Sequence, residues 1–323
     1  MQLERDPFSG GKPAMSQGFH APVMVPQVLG ALETAREGLI LDGTLGGGGH
    51  TEAMLLEWPA CRIIGVDRDH EAIQKAAERL APFSERVRYL EMRFDHAMND
   101  ARVREDGLDG ALLDLGVSSW QLDQDGRGFA FRPGLPLDMR MDPAAGGPTA
   151  GDLLNQEPEE ELARVFFEYG EEPRSRKLAR EVVRRRIREP FRTSDDLVAA
   201  LTRTLDRFPK QKEKARVFQA LRIAVNEELE ALDAAMAGAL EALNPAGVLA
   251  VISYHSLEDR RVKDAFREWS RSCVCPPEIP VCSCRGRPLG SPVFKGIQRP
   301  TSEEVERNPR SRSARLRAWR KAS

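Results

Sequence analysis

The segment Asp42-Gly43-Thr44-Leu45-Gly46-Gly47-Gly48-Gly49-His50 constrains this chain more than any other. It follows the aliphatic run Leu39-Ile40-Leu41 and opens a helical pattern at about Thr51. Glycines are required where the backbone turns sharply and approaches a ligand closely, and the free amides at a helix N-terminus face that ligand. A glycine loop alone is a weak signal. It gains weight from Asp67, which ends the next aliphatic run about 20 residues on, where a carboxylate can accept both hydroxyls of a ribose. Together they predict a nucleoside cofactor rather than a purely structural turn.

Further short runs, Arg62-Ile63-Ile64-Gly65-Val66, Val87-Arg88-Tyr89-Leu90 and Ala111-Leu112-Leu113, alternate with helical patterns such as Glu71 to Leu80. The order βαβαβ predicts an α/β fold with an open, doubly wound, mainly parallel sheet. One more strand, Val248 to Ser253, comes much later, after a helix-like stretch from Val217 to Leu243. Residues 144–208 between them are charged, helical in period and without strand signal, with Thr149 and Thr193-Ser194 as N-caps. They read as an inserted all-helical substrate-binding domain, entered through a Gly- and Pro-rich linker from Phe129 to Pro148. The cofactor-binding core is then 20–143 with 209–323, preceded by a flexible extension over 1–19.

The spacing also separates cofactors. A dinucleotide fingerprint needs Gly-x-Gly-x-x-Gly to admit a pyrophosphate. Here an acid precedes the pattern Asp42-x-Thr44-x-Gly46-x-Gly48, which resembles motif I of class I methyltransferases, with Thr44 in place of the usual first glycine. A cationic sulfonium tolerates a nearby carboxylate, unlike a pyrophosphate. A nicotinamide-dependent oxidoreductase is the runner-up, and a non-catalytic RNA-binding protein on the same fold a third reading.

From the fourth strand onward the match narrows: Leu113-Asp114-Leu115-Gly116-Val117-Ser118-Ser119-Trp120-Gln121-Leu122-Asp123, Arg127-Gly128-Phe129 and Pro136-Leu137-Asp138-Met139-Arg140-Met141-Asp142. Together with His20-Ala21-Pro22-Val23, Val225-Asn226-Glu227-Glu228-Leu229, His255-Ser256-Leu257-Glu258-Asp259-Arg260 and Asn308-Pro309-Arg310-Ser311-Arg312, the chain resembles the bacterial ribosomal RNA small-subunit methyltransferase H family. The resemblance implies a class I S-adenosylmethionine-dependent methyltransferase (Rossmann-like) with an inserted helical domain. It also implies N4-methylation of a cytidine in the decoding centre of 16S ribosomal RNA, presented as RNA or as the small ribosomal subunit. By the same resemblance, Gly48, Gly49 and His50 hold the cofactor in the loop, Asp67 takes the ribose and Phe94 lies against the adenine. Asp114 and Gln121 stand near the methionine end. Phe94 can equally be an ordinary core aromatic.

The cytosine amine is a poor nucleophile because its lone pair is delocalised into the ring, so acceptors on its protons should promote attack. Asp114, at the carboxyl end of the fourth strand where such folds bind ligands, is the first candidate, with a cofactor-only role as the alternative. Asp138, Asn226 and His255 follow. Asp138 can instead pair with Arg140 or Arg127, and His255 can be a structural histidine at a strand end.

The net charge is −2, yet basic residues cluster from Arg174 to Arg192, from Lys210 to Arg216 and from Arg307 to Lys321. Such runs are either solvated helix faces or a surface that tracks phosphates. Among the cysteines, Cys273-Val274-Cys275 and Cys282-Ser283-Cys284 pair two Cys-x-Cys units across a Pro-rich turn. In a cytoplasmic protein this suggests a structural zinc site of four thiolates, against four free thiols. No apolar stretch can span a bilayer and the polar start lacks a signal-peptide core, so a cytoplasmic location and no membrane partner are expected. A homodimer is left open.

Overall fold

Residues 22–116, 125–276, 281 and 283–323 are described by a computed structural model. The extension 1–19, Gln121 and Cys282 lie outside the described residues. The aliphatic runs form the middle of one sheet: β1 (Leu39–Asp42), β2 (Arg62–Asp67), β3 (Val87–Glu91), β4 (Leu108–Asp114) and β5 (Leu243–Ser253), followed by β6 (Gly290–Pro292) and β7 (Arg315–Lys321). The strand order is β3-β2-β1-β4-β5-β7-β6. Pairings among β1 to β5 are parallel, and β7 runs antiparallel to both β5 and β6.

Strand side chains alternate between two cores, as the two-residue period requires. Ile40, Ile63, Leu112 and Ile252 pack on one face with Val28 and Leu32 of the helix Val25–Leu32. Leu41, Ile64, Leu113 and Val251 pack on the other with Leu232 and Met236 of the helix Glu228–Ala242 and Phe266 of the helix Ser256–Trp269. Burial on both faces explains why these strands read as unbroken apolar runs.

Between β4 and β5 lies a third core made of helices. Leu154, Phe166, Leu178, Val182, Leu197 and Leu201 come from Ala150–Gln156, Glu159–Glu168, Ser175–Arg186 and Ser194–Leu205. Thr149 and Thr193 each close a capping box, with Asp152 and Asp196, satisfying amides that have no partner inside the helix. Val217, Phe218 and Leu221 join this same core from the helix Gln211–Asn226, so the helical unit draws residues from beyond 208. The helix-like stretch from Val217 to Leu243 is two helices, parted at Glu227, whose φ of 51° is left-handed. Among the described residues no helix is long and apolar enough to cross a membrane.

The end of the third basic cluster is a strand, β7. In Arg315-Leu316-Arg317-Ala318-Trp319-Arg320-Lys321, Leu316 and Ala318 enter one core while Trp319 enters the other. Arg317 pairs with Asp259 at 2.7 Å, Arg315 reaches the same carboxylate at 3.2 Å, and Lys321 donates to the carbonyls of Leu240 and Leu243. These cations neutralise an acid and cap carbonyls, so the strand is half-charged in sequence yet internal in structure. In the first cluster Arg184 pairs with Glu181, and Arg186 donates to the carbonyls of Leu154 and Glu157 at a helix end.

Trp319 is fully buried, 5.0 Å from the ring of Trp269 and 6.3 Å from that of Phe266. Trp319→Ala is expected to lower unfolding stability by about 3–5 kcal/mol in urea titrations, the usual cost of emptying a large aromatic site. A change below about 1 kcal/mol would show that β7 does not depend on this anchor.

Candidate active site

The strand order reverses between β2-β1 and β4-β5, and ligands bind such sheets beyond the carboxyl ends of the strands at that point. A cavity of about 250 Å³ opens there, lined by the β1 loop, Asp67, Met92, Phe94, Asp114 and Tyr254 among others.

The loop is fixed from below by Asp42, which is 1% exposed. Its carboxylate accepts the Thr51 hydroxyl at 2.7 Å and the Thr44 amide at 3.3 Å. Thr44, where such loops usually carry glycine, has a use for its side chain: its hydroxyl oxygen accepts the Asp114 amide at 2.6 Å. The Leu45 amide donates to Val66 O and the Gly46 amide to Asp67 Oδ2, both at 2.9 Å, tying the loop to the end of β2. Gly46 has φ of +50°, a conformation glycine adopts without strain. Gly43 has no room for a side chain: a Cβ would lie 2.6 Å from Leu113 Cδ2.

Asp67 faces the cavity with one backbone amide on each oxygen, from Gly46 and from Asp69 at 2.9 Å. Each oxygen keeps a lone pair for a ligand hydroxyl. Burial pushes this carboxyl up to about 6. Met92, Phe94 and Ala72 add an apolar wall suited to a flat base. Hydroxyl acceptors, an apolar wall and a close-approach glycine loop fit a nucleoside cofactor.

Asp114 closes the opposite side. Its Oδ1 accepts the Tyr254 hydroxyl at 2.8 Å, and its Oδ2 lies 3.8 Å from His50 Nδ1. Burial pushes it also up to about 6, against the pull of His50 and Tyr254.

The other expected residues divide. Gly49 and His50 line the cavity, but His50 Nε2 is bonded to Val23 O at 2.8 Å, which orients the ring. Gly48 does not line it: its φ is +75°, and a Cβ there would meet Leu80 at 3.1 Å, so it serves helix packing. Asp138 stands outside the cavity, where Arg140 grips both its oxygens at 2.9 and 2.7 Å and outweighs burial, holding its carboxyl low. Asn226 borders the cavity, but its amide is used up. Its Oδ1 accepts from Arg68 and Met141, and its Nδ2 donates to the carbonyls of Met139 and Arg222, all within 2.8 Å. It clamps the 139–141 loop. His255 caps the helix Ser256–Trp269, with Nε2 at 3.0 Å from Glu258, and does not reach the cavity. Cys273, Cys275 and Cys284 come together, and none of them lines the cavity.

Tyr254 and Glu258 line the cavity without having been anticipated. Glu258 accepts the Tyr254 amide at 2.8 Å; burial opposes its charge, but His255 and Arg222 outweigh that and hold its carboxyl low. The signal for Tyr254 was its place immediately after the last parallel strand. Beside this cavity lies a second, sharing Arg68, Met92, Arg93 and Asn226 and adding Arg140 and Asp142.

Asp67→Ala is expected to weaken S-adenosylhomocysteine binding at least ten-fold, about 1.4 kcal/mol, by removing charge-assisted hydrogen bonds. Calorimetry showing unchanged affinity would remove Asp67 from the site.

Residues 17–322 match the MraW methylase family. The ribosomal RNA small subunit methyltransferase H of Gemmatimonas aurantiaca is 48% identical over 306 residues, covering 94% of this chain and 96% of that one. The protein of the same name from Heliobacterium modesticaldum is 46% identical over 310 residues, covering 94% and 98%. With a family model matching residues 17–322 and relatives of 46–48% identity along nearly their whole length, the chain belongs to the MraW methylase family.

Proposed function

We propose that this protein is an S-adenosylmethionine-dependent methyltransferase that modifies the N4 amine of one cytidine in the decoding centre of 16S ribosomal RNA. Near full-length similarity to small-subunit RNA methyltransferases supports the substrate class. The observation that carries the chemistry is the Asp114 carboxylate, held at the cavity wall by Tyr254.

The cofactor, when bound, supplies an activated methyl group on a sulfonium. Asp67 would accept the ribose hydroxyls, and Met92 and Phe94 would cover the base. The Tyr254 hydroxyl, donating to Oδ1, fixes the rotamer of Asp114 and leaves Oδ2 to accept an N–H of the cytosine amine. That hydrogen bond localises the amine lone pair, and the Asp114 carboxylate then takes the proton that the amine releases on methylation. His50, its ring oriented by the bond from Nε2 to Val23 O, stands with Nδ1 3.8 Å from Oδ2 and bounds the pocket on that side. The target base must leave its stack to reach this site, and the second cavity, with Arg68, Arg93 and Arg140 on its walls, is where its phosphate and ribose would be received.

Asp114→Asn keeps the shape and the Tyr254 contact but removes the proton acceptor. It is expected to lower turnover on small subunits by about 10²–10⁴-fold, the range for losing a general base, with S-adenosylhomocysteine affinity nearly unchanged. A raised carboxyl pKa means the acid form persists in the folded protein up to about pH 6. Turnover at saturating cofactor should therefore fall as pH drops through about 6 and level off above it. Loss of affinity with intact turnover in Asp114→Asn would assign this carboxylate to the cofactor alone.

A further inference from the structure

Between the helix Ser256–Trp269 and β6 the chain makes an excursion closed at its base, where the Leu289 amide donates to Trp269 O at 2.8 Å. Arg285 fastens it to the helix end, donating to Glu268 Oε1 at 3.0 Å and to Arg271 O at 3.2 Å. Within it Cys273, Cys275 and Cys284 bring their three sulfurs within 4.8 Å of one another.

Hydrophobic burial does not explain this convergence. Cys273 is exposed, Cys275 and Cys284 are half-buried, and Val281 in the same excursion is 74% exposed. The sulfurs of Cys273 and Cys284 stand 3.9 Å apart. A disulfide needs about 2.05 Å, so this is not a bonded distance. It matches instead the edge of a tetrahedron around zinc, about 3.8 Å for zinc–sulfur bonds of about 2.3 Å. The Val274 amide donates to Cys284 Sγ at 3.3 Å, a backbone donor placed to stabilise thiolate charge.

We propose that Cys273, Cys275 and Cys284 bind one zinc ion, which fixes this excursion against the end of the helix and the edge of the sheet. Soft thiolate ligands select zinc over the hard divalent cations. The site is structural, since none of its ligands borders the cofactor cavity. None of the described residues of the excursion is buried, and the ion stands in place of an apolar core.

Full-length protein purified under reducing conditions without added metal should carry one zinc per chain. Replacement by cobalt(II) should give the intense visible bands and sulfur-to-metal charge transfer of a tetrahedral thiolate site. Cys273→Ser, Cys275→Ser and Cys284→Ser should each weaken zinc binding at least ten-fold in competition with a chromogenic chelator, leaving S-adenosylhomocysteine affinity within two-fold. An equal loss in Cys282→Ser adds a fourth sulfur to the site, and retained binding there gives three thiolates and a water; either result supports it. Metal-free protein that takes up no zinc at micromolar free ion and shows no cobalt–thiolate bands would overturn the proposal. So would a zinc content unchanged in all three serine variants.

Discussion

The site depends on one buried carboxylate that does not itself line the cavity. Asp42 is almost completely enclosed, and burial pushes its carboxyl up, a cost offset by the Thr51 hydroxyl and the Thr44 amide. By holding both the start of the loop and the first turn of the following helix, it sets the turn between them. Only with that turn in place does the Gly46 amide meet Asp67 and the Thr44 hydroxyl meet the Asp114 amide. Three strand ends are thereby fixed relative to one another, and the two ligand-facing carboxylates stand on opposite sides of one cavity.

Much of this was legible in the sequence because both causes are local. Strands buried on two faces must be apolar throughout, so β1 to β4 show plainly, and a glycine loop followed by a strand-end aspartate encodes a nucleoside site through spacing alone. What remained hidden depends on partners distant in the chain. Arg315 to Lys321 read as part of a basic cluster, while the acid that neutralises Arg315 and Arg317, Asp259, lies 56 and 58 residues earlier. Asn226 is held by Met139, Met141, Arg68 and Arg222, and His255 stands at a helix start beside Glu258, contacts that sequence identity does not announce. At Gly48 the left-handed φ and the nearness of Leu80 are visible only in the fold.

Charge follows the same logic. Clusters of arginine and lysine suggested a phosphate surface, yet Lys177, Arg184, Arg216, Arg315 and Arg317 each have an acidic partner. Arg68, Arg93 and Arg140 also have partners, and what sets them apart is position: they border a cavity that shares residues with the one lined by Asp67 and Asp114. Recognition of RNA is better argued from where a cation sits than from how many stand together.

The central claim is that one cytidine amine of 16S ribosomal RNA is the acceptor. Its most direct test is mass spectrometry of 16S RNA from a strain lacking this gene, with the gene absent, restored, or restored as Asp114→Asn. The account predicts loss of a single methyl group from the N4 position of one decoding-centre cytidine, regained with the intact gene and not with the variant. Unaltered RNA in the deletion strain, or a methyl lost from a ring carbon or a ribose hydroxyl instead, would contradict it.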